Sequence, residues 1–192
     1  MSAFRNFIES YVRLPDEEWD IISGAFEPRV YKRNEIILQS GEICRFFGFL
    51  EKGLLRFFVE HDGNEVTKFF TIAPYCFTSA FSFRNQAPAT ESIQALENCV
   101  AYTISLKNAD LLLELKHWAI FTRKFTQQVQ YQTEQLMMEA KTTPAAERYR
   151  LLLENYPGIV QRIPLKHLSG FLGIAPQSLS RIRKNYIRDL RK

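Results

Sequence analysis

The chain has 192 residues, of which 46% are hydrophobic and 24% charged, enough for one large domain or two small ones and too apolar for wholesale disorder. Sixteen Phe supply core bulk, and three cysteines (Cys44, Cys76, Cys99), odd in number and without CxxC spacing, exclude a disulfide framework and a zinc ribbon. No apolar run reaches the ~18 residues of a membrane span, and the first residues, MSAFRNFIESYVRLPDEEWD, lack a signal peptide's apolar stretch, so a cytoplasmic protein without membrane contact is expected.

Residues 1 to 27 read as helical. Phe4, Phe7, Ile8, Tyr11 and Val12 recur at spacings of three and four, Pro15 breaks the run, and Trp19, Ile21 and Ile22 begin another. From 28 to 107 the pattern changes to short strands. Segments 29–38, 46–50, 54–60, 65–70, 91–96 and 100–105 are rich in β-branched and aromatic residues. Turn residues separate them: Gln39-Ser40-Gly41-Glu42, Glu51-Lys52-Gly53, and His61-Asp62-Gly63-Asn64, whose Asp-Gly pair signals a hairpin. Strands punctuated this often predict an antiparallel barrel or sandwich. The stretch around Pro74 and Pro88 is less regular.

Beyond 108 the period is helical. Asn108-Ala109-Asp110 suits a cap before Leu111-Leu112-Leu113. A long helix is predicted over 117–141, with Trp118, Phe121, Phe125, Val129, Leu136 and Ala140 on one face and Gln132 filling a gap. So long a helix either packs on the barrel or pairs with its own copy. Its glutamines (Gln127, Gln128, Gln130, Gln132, Gln135) exclude a dry leucine-zipper seam. Pro144 ends it, and residues 145–156 form a further helix closed by Pro157-Gly158.

The charge is unevenly distributed. Residues 1–144 carry 15 Lys and Arg against 18 Asp and Glu, a net −3; residues 145–192 carry 10 against 3, a net +7. A concentrated basic segment is the electrostatic footprint of a nucleic-acid contact; the alternative is a solubilising tail. Within it, LKHLSGFLGIAPQSLSRIRK, residues 165–184, decides for the first. Leu168, Leu172, Ile174, Leu179 and Ile182 space out as the shared core of two short helices. Ser169 is small where a second helix crosses, Gly173 sits at the turn, and Pro176 fits a helix's first turn. The motif is a helix-turn-helix. Gln177, Ser180 and Arg181 lie away from its core. Gln177 suits adenine and Arg181 suits guanine in the major groove. His167, Ser178, Arg183 and Lys184 suit the phosphate backbone.

Barrel, long helix and helix-turn-helix, in that order, resemble the bacterial Crp/Fnr transcription regulators. The resemblance rests on Ile36-Ile37-Leu38-Gln39-Ser40-Gly41-Glu42, the Gly53 and Asp62-Gly63 turns, and Leu172-Gly173-Ile174-Ala175-Pro176-Gln177-Ser178-Leu179-Ser180-Arg181. It implies an α+β chain in three parts. Residues 1–116 would be a cyclic-nucleotide-binding-like double-stranded β-barrel (a jelly roll), 117–141 a dimerisation helix, and 142–192 a winged helix-turn-helix with its wing near 160–164. It also implies a homodimer on double-stranded DNA with pseudo-palindromic sites, base reading by Gln177, Ser180 and Arg181, and contact with RNA polymerase.

The resemblance breaks at the effector site. Family members that bind cAMP carry Gly-Glu and then Arg-Ser; here Thr78-Ser79 and Ala89-Thr90 stand in those places. Without the arginine a cyclic phosphate loses its charge-assisted partner, so cAMP is not the expected effector. The candidate pocket comprises Phe77, Thr78, Ser79, Phe81, Ala89 and Thr90, empty or open to an uncharged or aromatic ligand. Arg84 is expected in solvent. Cluster-binding relatives use grouped N-terminal cysteines; here the first 43 residues have none, and no cofactor or metal is expected. The cysteines read as buried apolar residues, with a thiol sensor as the alternative. His61, His117 and His167 fall one to a region, and only His61 belongs to the barrel stretch. This speaks against the competing reading, a cupin-like binding protein or metal enzyme, which needs converging histidines; no enzyme is expected. A third reading keeps DNA binding and reduces the barrel to a dimerisation platform.

Overall fold

The computed structural model describes residues 1–189; the last three residues of the expected third segment lie outside the described residues. Two helices open the chain, α1 (Ser2–Glu9) and α2 (Asp16–Ala25). Asp16, Glu17 and Glu18 fill the first turn of α2, where acidic groups meet the positive end of the helix dipole. Eight strands follow: β1 (Glu27–Tyr31), β2 (Ile36–Leu38), β3 (Phe46–Lys52), β4 (Leu54–His61), β5 (Asn64–Ile72), β6 (Tyr75–Phe77), β7 (Ser92–Ala95) and β8 (Cys99–Ser105), with α3 (Ala80–Asn85) between β6 and β7. They form two four-stranded sheets, ordered β1-β8-β3-β6 and β2-β7-β4-β5. This is the expected jelly roll.

The predicted strand 29–38 is two strands in different sheets. The chain crosses between them at Asn34, whose φ of 69° is one that asparagine tolerates, and Asn34 N–H bonds the Ala95 carbonyl at 2.8 Å. The β4–β5 turn is the predicted hairpin, with positive φ at both Asp62 and Gly63. Strand β6 and helix α3 were not legible: three and six residues are too short to display a period.

Two cores hold the first compact unit, which comprises residues 1–59 and 69–129. One lies between the sheets and includes Leu38, Leu50, Leu55, Phe57, Phe77, Phe83 and Ile93. The other joins α1 and α2 to the outside of the first sheet, and Phe4 stacks on Phe49 at 4.4 Å. Trp118, Phe121 and Phe125, from the start of the long helix, complete it.

Helix α4 (Leu106–Leu112) begins earlier than expected. Ser105 caps it, its hydroxyl oxygen accepting from Asn108 N–H at 3.3 Å; Asn108, Ala109 and Asp110 lie inside the helix rather than before it. The Ser105 hydroxyl answers one of the helix's unpaired first N–H groups, so the helix begins before Asn108. Helix α5 (Lys116–Thr142) matches the predicted long helix. Glu18 holds its start, accepting from His117 N–H at 3.1 Å and meeting the ring Nδ1 at 2.7 Å. Its apolar face is divided: Trp118, Phe121 and Phe125 are buried, while Leu136 is 46% exposed.

The second compact unit comprises residues 60–68 and 130 onward. It contains α6 (Ala145–Asn155), α7 (Pro157–Val160), α8 (Leu165–Leu172) and α9 (Pro176–Asp189). The expected wing near 160–164 is not formed, because no described residue after β8 is in a strand. Pro157 starts a helical turn instead, and Val160 and Ile163 turn inward, each 8% exposed.

Candidate nucleic-acid interface and effector site

Helices α8 and α9 form the helix-turn-helix. Leu168, Leu172 and Leu179 are 2%, 1% and 0% exposed, and Ser169 is 2% exposed at the crossing point. Its hydroxyl bonds back to the Lys166 carbonyl at 2.9 Å, so the buried oxygen is satisfied. Gly173 takes the left-handed conformation, φ 67° and ψ 31°, that lets α8 stop and the chain reverse. Its N–H and that of Ile174 bond the Gly170 and Ser169 carbonyls.

Helix α9 turns a basic stripe outward. At about 100° per residue, Gln177, Arg181, Lys184 and Arg188 fall on the side opposite buried Leu179, and all four are exposed. The expected base-reading residues separate here. Gln177 and Arg181 share the stripe, but Ser180 stands to one side and its hydroxyl donates to the Pro176 carbonyl of its own helix at 3.0 Å. Among the expected backbone contacts, Lys184 joins the stripe, Ser178 is exposed on the other flank and His167 is half-buried on α8. Arg183 is exposed but lies on the Leu179 side of α9, near Tyr149 of α6; burial pushes that phenol up and the guanidinium opposes it.

Sequence reasoning missed two residues of α6. The Arg148 guanidinium Nη2 donates to the Leu172 carbonyl at 2.6 Å, and the Tyr149 ring packs edge-on against Tyr186 of α9 at 6.4 Å. Only their place, three and four residues into a helix just before the motif, was legible.

The effector stretch holds no open aromatic pocket. Phe77 is 3% exposed and fills the space left by Gly48, where any Cβ would collide with the Phe77 ring. Ala89 is 4% exposed in the same core, and its backbone N–H and carbonyl bond Glu42 and Gly41. Phe81 is a correction: it is 65% exposed on α3 and lines nothing in the barrel, because the helix that carries it turns Ser82 and Phe83 inward instead. Thr78 donates to the Phe46 carbonyl at 2.8 Å. Ser79 donates to Glu91 at 2.6 Å, and Thr90 donates to the same carboxylate at 3.0 Å. Ser82 donates to the Ala87 carbonyl at 2.5 Å. Each of these hydroxyls is used by the chain itself. Arg84, as expected, lies at the surface and pairs with Asp110 at 2.5 Å. Buried Arg56, its guanidinium 3.9 Å over the Phe58 ring, gave no sequence signal, since one Arg in a strand reads as an outward residue.

The three cysteines are buried and reduced, and burial pushes the Cys76 thiol well up, away from the reactive thiolate. Among the described residues no helix is long and apolar enough to cross a membrane.

Residues 28–115 match the cyclic nucleotide-binding domain family. Among solved structures, the c-di-GMP-responsive regulator CLP of Xanthomonas campestris superposes with a TM-score of 0.72 at 11% identity, covering 91% of this chain and 93% of that one. A transcriptional regulator assigned to the crp/fnr family in Eubacterium rectale gives 0.70 at 15% identity, over 96% and 88%. A CooA mutant from Carboxydothermus hydrogenoformans gives 0.69 at 13% identity, over 87% and 78%. The chain has the Crp/Fnr regulator fold. No curated protein matches it by sequence. Within the Crp/Fnr fold, the jelly roll is the cyclic nucleotide-binding domain and α5 is the long helix between it and the helix-turn-helix.

Proposed function

We propose that the protein is a sequence-specific DNA-binding transcription regulator of the Crp/Fnr type, acting in the cytoplasm as a homodimer on a pseudo-palindromic site. The observation that carries this reading is the exposed stripe of Gln177, Arg181, Lys184 and Arg188 on the second helix of a helix-turn-helix, within a segment of net charge +7. Gln177 and Arg181 present amide and guanidinium groups suited to adenine and guanine edges, and Lys184 and Arg188 add cations near the phosphates. The homodimer is supported by the second half of α5, where Tyr131 and Met138, seven residues apart on one side of the helix, are 59% and 61% exposed. A second copy covers these side chains and sets two recognition helices about 34 Å apart.

The hydroxyl network of the barrel favours binding without cyclic nucleotide. Ser79 and Thr90, in the places of the family's nucleotide-holding residues, both donate to Glu91, so their hydroxyls are already engaged within the chain.

Selection of bound duplexes from a random pool, at about 150 mM salt and without ligand, tests the reading. A two-fold symmetric motif is expected. Uniform, salt-sensitive binding in buffer and in cell extract alike would overturn it.

A further inference from the structure

Resting on the DNA-binding reading, we infer that Arg148 and Tyr149 of α6 are positioning residues that set the pose of the recognition helix and with it the protein's sequence selectivity. The two are adjacent in sequence, and each grips a different helix of the motif. Arg148 reaches the C-terminal end of α8, its Nη2 2.6 Å from the Leu172 carbonyl. That carbonyl belongs to the helix end whose acceptors intrahelical bonds leave over, and the capping N–H groups of Gly173 and Ile174 turn back to Gly170 and Ser169. Leu172 is 1% exposed, so its neighbourhood offers little water. A guanidinium therefore answers the carbonyl and also places positive charge at the negative end of the helix dipole. The bond lies one residue before Gly173, the pivot between α8 and α9.

Tyr149 reaches α9 itself. Its ring packs edge-on against Tyr186, two turns beyond buried Leu179, and its phenol lies near the Arg183 guanidinium. One contact fixes where α9 begins; the other fixes its rotation about its own axis. The rotation decides whether Gln177 and Arg181 face base edges or phosphates. Because α6 follows α5 after only Thr143 and Pro144, the pose is inherited from the helix proposed to carry the dimer axis.

The test uses the full chain and two duplexes, the selected motif and a shuffled copy. The readout is the ratio of their dissociation constants, which an unfolded fraction leaves unchanged because it weakens both equally. Arg148→Gln is expected to narrow the ratio by about tenfold or more, out of the ~10³–10⁷ that separates specific from non-specific binding. Affinity for the shuffled duplex and its salt slope are expected to hold, and Arg148→Lys is expected to recover part of the ratio. Tyr149→Leu removes the ring that packs on Tyr186; it is expected to narrow the ratio as well, and it carries the test alone if circular dichroism shows Arg148→Gln unfolded. Wild-type ratios in the folded variants would overturn the positioning role. A wild-type protein that does not distinguish the two duplexes would instead overturn the DNA-binding reading, and this inference with it.

Discussion

The Ser79 hydroxyl donates to the Glu91 carboxylate at 2.6 Å, with both residues at 9% exposure or less inside the barrel. A carboxylate held there by the chain's own hydroxyls gives the loop between β6 and β7 an internal anchor. Ser79→Ala removes a hydrogen bond to a buried carboxyl group, which is expected to cost about 1–3 kcal/mol. Urea unfolding checks this, and a midpoint equal to wild type would mean that the bond contributes nothing.

The same anchor bears on cyclic nucleotides. Calorimetry with cAMP is expected to show no binding heat at micromolar concentration, and Arg84→Ala is expected to change neither that result nor stability by more than about 1 kcal/mol, since Arg84 pairs with Asp110 at the surface. Micromolar cAMP binding abolished by Arg84→Ala would contradict both statements.

Gly173 is the one turn residue in α8–α9 with positive φ, 67°, and a Cβ there would meet nothing within 4 Å. Its substitution therefore isolates backbone strain from packing. Gly173→Ala should lose about 1–2 kcal/mol of stability. The folded fraction should still bind DNA, because no side chain is displaced. Thermal unfolding together with a DNA titration reads both quantities, and an unchanged melting temperature would show that the left-handed turn is not needed.

Tyr31 and Tyr75 are pushed up to about 12 by burial. Unfolded phenols ionise near pH 10. Between pH 10 and 12 the folded chain therefore holds more protons than the unfolded one, and stability falls as pH rises. Below pH 10 the contribution is fully present. The urea midpoint should be flat from about pH 8 to 9.5 and decline above 10, less steeply in Tyr75→Phe. A midpoint constant to pH 11.5 would sink this.

The helix-turn-helix was legible because short-range physics fixes it. Leu168, Leu172, Leu179, Ser169 and Gly173 state helix, crossing and turn within fifteen residues, and the structure uses each as its type demands. The hairpin at Asp62-Gly63 was legible for the same reason. The barrel's interior was not. Phe77 and Phe81 are four residues apart in an aromatic-rich stretch and look alike in sequence, but one is core and the other solvent-facing, because only Phe77 meets Gly48 across the sheet. The Glu91 carboxylate and the Arg148 clamp depend on partners 12 and 24 residues away, which no local pattern encodes. The wing was expected from the family, and the inward turn of Val160 and Ile163 replaced it.

Arg181 and Lys184 share one face of α9 but carry different expected roles, and two single variants separate them. Arg181→Ala removes a guanidinium matched to guanine O6 and N7, so it should cost about 1–3 kcal/mol at one position of each half-site and leave other positions unchanged. Lys184→Ala removes a point charge that neutralises phosphate, so it should weaken every duplex alike and lower the slope of log K against log salt by about one. Binding to a panel of single-base variants at three salt concentrations reads both. Since Lys184 lies on the same stripe as Arg181, one outcome decides its place: a base-specific loss with an unchanged slope would move Lys184 into the reading set. A uniform loss in Arg181→Ala would move Arg181 out of it.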